Sequence, residues 1–471
     1  MSESTTTASP PTVSVRALLA LAGPMIIARA TQAVDGFADT YQVHHLGNDA
    51  IVATGTGALN CYGVIMLPLG VAFIVSSFVA QLEGSGRRGE AARYGWYGLL
   101  LALFAGLLSL IALPLIGPAL GLFRYTDVVR GEMTDYMQVR MAALGVMVGV
   151  EALNNYYGGL GRTWVSMAAG VISMVVNIVT NWIFIDGNLG APALGVRGAA
   201  LSSVLASSAA FAFVMLLFLR DRRRARAAAV AAGTTDRVVL KRAEFTRMLR
   251  FGVPNGINWM MEFAAFQMFI NVVMSDLGTT ALAAFNAVMS INSLSFMPAF
   301  GIASAGSILA AQAIGSGAKE LVWPLLKLTM KTTMVWMGVI GLSYVVFPTQ
   351  LVSLFSSGAG NGASADLSIV SIGATMLLLS AAWQLFDAVG MTIAETLRAA
   401  GDTKWTATAR LVLAWFMFLP SGYIVVRVFD GGPSGAMLCL AGYLALLSVV
   451  LTYRFRTGAW KSIQLVEPTL L

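Results

Sequence analysis

AQLEGSG, beginning at Ala80, and AQAIGSG, beginning at Ala311, are two copies of one signature in a chain of 471 residues. Working outward, further pairs recur at a spacing of about 230 residues: Pro24 with Pro254, Pro68 in LPLG with Pro298 in MPAFG, and Leu46-Gly47 with Leu277-Gly278. LGRT ending at Thr163 returns as AGDT ending at Thr403, with the spacing stretched to about 240. The chain is an internal duplication, and what it duplicates is a string of apolar segments.

Hydrophobic residues make up 57% of the chain and charged residues 11%, with a mean hydropathy of +0.75. Soluble domains carry about a quarter charged residues, so a water-facing globular enzyme is excluded. At about 20 apolar residues per spanning helix, this content suffices for about twelve or thirteen helices. Apolar runs fall at 17–43, 50–80, 93–117, 133–159, 163–185 and 195–219, then at 252–275, 281–311, 325–347, 367–396, 406–429 and 434–454. These predict an all-α integral membrane fold of about 12 transmembrane helices in two six-helix bundles. The expected divisions are a disordered polar tail at 1–16, an N-terminal lobe at 17–220, a basic linker at 221–247, a C-terminal lobe at 248–456 and a second tail at 457–471.

The linker, RDRRRARAAAVAAGTTDRVVLKRAEFTR, is too charged to enter hydrocarbon and marks the cytoplasmic side. Arg87, Arg88, Arg93, Arg162, Lys319, Arg398, Lys404, Arg454, Arg456 and Lys461 fall on that side, whereas the opposite loops hold mainly Arg124, Arg130, Arg197 and Arg427. Both termini are predicted cytoplasmic, and the net charge of +7 reports this topology rather than nucleic-acid binding. Six helices separate the copies, so both enter the membrane from one side and form a parallel repeat about the membrane normal. Such a repeat encloses a cavity at its seam that rocking exposes to each side in turn. Matched Pro and Gly interruptions favour this transporter reading over a channel or scaffold. Cys61 and Cys439 lie in apolar segments as packing residues, and the absence of a GxxxxGK[ST] loop leaves an ion gradient as the energy source. No HExxH, GxSxG or paired histidines support an intramembrane enzyme.

The runs LAGPMI, ADTYQVHHLG, AQLEGSG, GAPALGVRGAAL, FGVPNGINWMME, SLSFMPAFG and LRAAGDTKW resemble the multidrug and toxic compound extrusion (MATE) transporters, from about residue 17 to about 450. The resemblance implies two six-helix bundles around a central cleft, and efflux of organic molecules in exchange for Na⁺ or H⁺. The substrate would be a small organic molecule, cationic or zwitterionic. A monomer among membrane lipids would suffice, with no cofactor and no nucleic acid. The alternative within the same superfamily is a lipid or lipid-linked saccharide flippase, which a cluster of basic cavity residues would favour.

Carboxylates inside apolar helices are functional candidates by default. Five stand out: Asp35, Asp39, Glu151, Glu262 and Asp387. Glu262 lies roughly 12 Å into its helix and Asp387 roughly 16 Å from the end of its own, so one cation, Na⁺ or H⁺, would be shared between them. Asn258 and Gln384 stand one turn from these acids and would add oxygens. In the NorM-like branch of the resembled family, acids at the positions of Glu262 and Asp387 form the cation site. Trp383 stands where that pattern has Tyr, which removes a hydroxyl ligand. Asp39 matches the family's acid on the first helix and Asn177 and Asn181 match its polar partners, implying a second, proton-responsive site. Arg29, near mid-bilayer, either pairs with Asp35, Glu151 or another helix, or binds an anionic or zwitterionic substrate. Met260, Met261, Phe285, Phe296 and Met297 are weaker candidates for a drug-binding lining, most such residues being packing. His44 and His45 fit a solvated outer turn.

Overall fold

A computed structural model describes residues 10–123, 125–231, 239–356 and 363–467. Most of the expected N-terminal tail, Arg124 and the middle of the linker lie outside the described residues. Sixteen α-helices and no strand occur among those described. They are α1 Val15–Val43, α2 Asn48–Gly84, α3 Arg88–Ala112, α4 Ile116–Leu120, α5 Asp127–Ala142, α6 Leu144–Gly159, α7 Trp164–Asp186 and α8 Val196–Ala231, followed by α9 Arg242–Met268, α10 Thr279–Gly315, α11 Val322–Val346, α12 Pro348–Ser356, α13 Ala363–Ala400, α14 Thr403–Val412, α15 Leu419–Arg427 and α16 Gly432–Arg456. Eleven spans are long and apolar enough to cross a membrane, and a bent pair brings the number to 12.

That pair replaces the single helix expected over 133–159. The chain breaks at Ala143, and α5 meets α6 at 47°. The first turns of α5, DVVRGEMTD, are polar and escape a search for apolar runs, yet Thr126 caps them by accepting a hydrogen bond from Val129 N. Beyond the break, Gly145 of α6 faces Gly106 of α3, where a Cβ would stand 2.8 Å from the Ala102 carbonyl oxygen. Only glycine lets these two backbones approach so closely.

The repeated signatures are helix ends. After α2, Gly86 has φ +76°, and after α10, Gly317 has φ +82°. After α6, Gly161 N donates to Gly158 O and Arg162 N to Tyr157 O; after α13, Gly401 N donates to Arg398 O and Asp402 N to Leu397 O. Both are left-handed glycine stops that satisfy the last carbonyls of their helices. Gly47 and Gly278 have φ +106° and +90° and open α2 and α10 in the same way. The duplication thus survives where backbone geometry demands glycine, while the apolar stretches between have diverged freely.

The described chain forms two compact units, one containing Ile27–Gly256 and the other Pro10–Ile26 with Ile257–Leu471. Pro24 and Pro254 lie within α1 and α9, and each helix passes from one unit to the other two residues after its proline. In the first unit α2 is the mostly buried centre, packed on α3, α5 and α6, while α7 packs on α8. In the second, α10 takes the central place against α11 and α13, and α13 packs on α16. Outer helices present apolar side chains outward, as on α3 with Leu103, Phe104, Leu108 and Ile111, the arrangement hydrocarbon requires. The basic stretch after Arg220 does not begin as a loop: α8 runs through RDRRRARAAAVA to Ala231, a sequence of strong helix formers.

Candidate functional site

Two polar clusters are built inside these apolar units. In the second unit, α9 carries Glu262, α13 carries Asp387 and α14 carries Arg410. Arg410 Nη1 donates to Glu262 Oε2, with the two side chains 17% and 35% exposed. Asp387 is half-buried, accepts no hydrogen bond among the described residues and lies within Coulombic reach of both Arg410 and Glu262. Arg410 Nε, the Tyr443 hydroxyl on α16 and Asn258 Oδ1, one turn before Glu262, are buried without a hydrogen-bond partner. Two carboxylates against one guanidinium leave a net negative charge, with further oxygens beside it.

Helix α9 is held against the α14–α15 segment by contacts that continue past the ion pair. Trp415 Nε1 donates to Met261 O at 3.2 Å, the rings of Phe269 and Phe418 lie 4.6 Å apart, and Gly422 leaves room for Phe269. Both segments unwind locally here, into π-helical turns at Phe269–Met274 and Leu413–Phe418. A π turn shifts the register of side chains on either side of it and is enriched at functional sites.

The expected helper Gln384 faces elsewhere. Its Oε1 accepts from Ser295 Oγ at 3.0 Å and its Nε2 donates to Asn292 Oδ1 at 2.6 Å, so the side chain is closed between α13 and α10. Positions 384 and 387 lie only about 60° apart around α13, so it is the bonds to Ser295 and Asn292 that engage the Gln384 side chain with α10. Trp383 is likewise 4% exposed and part of the apolar core. Phe285 is core, Phe296 stacks on Phe300, and Met260, Met261 and Met297 are half-buried.

In the first unit Asn181 Nδ2 donates to Asp39 Oδ1 at 2.7 Å and to Asn177 Oδ1 at 3.2 Å. The i,i+4 spacing on α7 aligns the two amides, both buried, on the face that meets Asp39 of α1. Asp35, one turn earlier, keeps a buried Oδ1 without a partner. Arg29 pairs with Glu151 at 3.6 Å, donates to Gln32 Oε1 at 3.3 Å and stands over the Phe73 ring, and Asn155 Nδ2 supports Glu151 at 3.0 Å. Of the two readings of Arg29, the geometry matches the paired one. His45 meets Asp186 at 2.8 Å in an exposed turn. No group of three or more His, Cys, Asp or Glu side chains suited to a metal occurs among the described residues.

Two arginines escaped the sequence reading. Arg410 and Arg140 both lie within apolar runs, where the sequence reading weighed one arginine alone, Arg29. A search for every charge inside an apolar run would have found both.

The MatE family model matches residues 24–183 and 259–424, in both halves of the duplication. The chain belongs to the MATE family. It is an integral membrane transporter, not an enzyme. Among curated relatives it is 27% identical over 443 residues to a probable multidrug resistance protein NorM of Neisseria meningitidis, covering 93% of each chain. It is also 27% identical over 416 residues to the multidrug resistance protein MdtK of Yersinia pestis, covering 88% of each. Among solved structures, an outward-facing multidrug resistance MATE transporter of the MOP superfamily aligns with a TM-score of 0.84 at 22% identity, over 95% of this chain and 97% of that one. A MOP superfamily transporter from Pyrococcus furiosus aligns with a TM-score of 0.82 at 21% identity, over the same shares. These structural likenesses carry the two-repeat MATE fold.

Proposed function

We propose that this MATE transporter exports small organic molecules by alternating access, driven by inward movement of Na⁺ or H⁺. The observation that carries the reading is the Glu262–Arg410–Asp387 cluster, whose second carboxylate has no hydrogen bond of its own. A cluster with one surplus negative charge inside an apolar unit is stabilised by one monovalent cation and costs free energy without it. Binding at Asp387 neutralises the surplus while Arg410 keeps Glu262 in place. The unpartnered oxygens of Asn258 and Tyr443 offer Na⁺ additional ligands, and a proton needs none of them. In the first unit, Asp39 with Asn177 and Asn181 forms a second site suited to protonation, because losing the charge frees both amides to rearrange. The multidrug names of the NorM and MdtK relatives support drug-like or metabolite substrates. The Lys/Arg bias supports an inner-membrane protein with both termini in the cytoplasm.

The test uses purified protein in ATP-free proteoliposomes loaded with a fluorescent organic cation, with a Na⁺ or a pH gradient imposed separately. Dye movement that follows one gradient and vanishes in Glu262→Gln and Asp387→Asn is the expected result. Dye that binds but moves under neither gradient, together with lipid scrambling in the same vesicles, would establish the flippase reading instead.

A further inference from the structure

Because α8 continues as helix into the basic stretch, the arginines there have fixed directions. Between Arg197 and Arg220 the helix carries no charged residue, and its stretch 198–219 rises about 33 Å, close to the thickness of a hydrocarbon core. Arg220 and the residues that follow it therefore stand at the headgroup layer. Trp164 marks the same level: it is 45% exposed at the start of α7, and the guanidinium of Arg162, which donates to Asp221 of α8, lies 5.9 Å from its ring centroid.

Around the axis of α8 the charges divide by sign. At about 100° per residue, Arg220 and Arg223 lie within about 40° of Leu216, and Arg224 and Arg226 flank it at about 80° on either side. Leu216 is 67% exposed, on the face that meets hydrocarbon. Val214, Phe218 and Asp221 lie about 140–160° away from it. Val214 and Phe218 are fully buried, and Asp221, the single acid of the stretch 220–231, accepts from Arg162 and from the Tyr157 hydroxyl. The acid is thus used toward the protein, while four arginines continue the lipid-facing side. Arg220, Arg223, Arg224 and Arg226 are exposed and form no hydrogen bond or ion pair among the described residues.

We propose that Arg220, Arg223, Arg224 and Arg226 form a binding site for the headgroups of anionic phospholipids at the perimeter of the first unit. The guanidinium fork takes two oxygens of a phosphodiester, and a lipid with net negative charge gains from the neighbouring arginines as well. Alignment with Leu216 places such a headgroup directly beyond the acyl chains that cover the helix, which favours lipid over a soluble acidic partner. The site lies in the cytoplasmic leaflet by the Lys/Arg bias, and its existence depends on neither the coupling ion nor the exported substrate.

The test uses the purified full chain in phosphatidylcholine bilayers, without gradient or substrate. Leu216→Cys, with Cys61→Ala and Cys439→Ala, carries a fluorophore on the lipid-facing side, and the probes are phosphatidylglycerol and phosphatidylcholine bearing the same nitroxide-labelled acyl chain. Both leaflets contain the probes, so the result is independent of orientation. Quenching by the phosphatidylglycerol probe is expected to reflect about fivefold tighter association than that by phosphatidylcholine, the contribution of one arginine beside an anionic surface. Combined Arg220→Gln, Arg223→Gln and Arg224→Gln should erase the preference, and high salt should weaken it. The exposed residues Lys404, Arg456 and Lys461 provide the control: changing all three to Gln removes the same charge elsewhere and should leave the preference intact. If the triple arginine variant does not fold, Arg223→Glu alone should lower the preference. Equal quenching by the two probes in the otherwise unaltered chain, a preference that survives the arginine changes in folded protein, or an equal loss in the control would each overturn the site.

Discussion

The two units share an origin and use charge in opposite ways. In the N-terminal one, Asp39 is held by neutral amides while Arg140 has no ion pair among the described residues. In the C-terminal one, Arg410 meets Glu262 directly, and the surplus is the carboxylate of Asp387. The N-terminal unit keeps an arginine without an ion pair near Asp35, whose buried Oδ1 has no partner, and the C-terminal unit keeps a single surplus carboxylate. A duplicated scaffold therefore does not imply duplicated chemistry, because helix ends and packing constrain the repeat and polar side chains between them do not.

The largest effect expected of any change to this contrast is in the C-terminal unit. Asp387→Asn or Glu262→Gln should reduce gradient-driven transport to background at normal expression, measured as dye flux in proteoliposomes, whereas Asp39→Asn should leave dye binding at the wild-type level and slow turnover. Full activity in both C-terminal variants would remove the cation site from this unit. Next in size, Arg410→Ala should destabilise the protein by on the order of 2 kcal/mol, less than a fully buried pair because Glu262 is partly exposed. Unfolding in detergent reads this out, and the double variant with Glu262→Gln should regain most of the loss in stability but none of the transport. If the single and double variants are equally unstable, Arg410 is not acting through Glu262.

A smaller change is expected from Asn181→Ala, which removes the hydrogen bond to Asp39 and should cost about 1–2 kcal/mol in thermal unfolding. The corresponding Asn177→Ala should cost less, since Asn181 retains its bond to Asp39. Smallest of all, Arg29→Ala and Glu151→Gln should be non-additive, with a coupling of about 0.5–1 kcal/mol in a double-mutant cycle. Strict additivity would show that the Arg29–Glu151 pair is incidental, and selective loss of carboxylate-bearing substrates in Arg29→Ala would revive its substrate-binding reading.

The helix count and the repeat were legible because both rest on local chemistry. A span needs a long apolar run, and a helix stop needs glycine at positive φ, so the GSG, LGRT and AGDT signatures mark boundaries in sequence as they do in space. The bend at Ala143 was hidden because the polar first turns of α5 resemble a loop when judged by hydropathy alone.

By itself the sequence determined a duplicated membrane chain of about twelve spans and the i,i+4 alignment of Asn177 with Asn181. Only the tertiary structure decided what each polar group touches: that Glu262 meets Arg410, that Gln384 turns to Asn292 and Ser295, and that Arg140 meets Tyr136 and Ser203. The reason is geometric. Each residue rotates the helix face by about 100°, so a partner on another helix depends on how that helix is turned about its axis. That rotation is the joint outcome of many apolar contacts, none of which is written in the spacing of the charges.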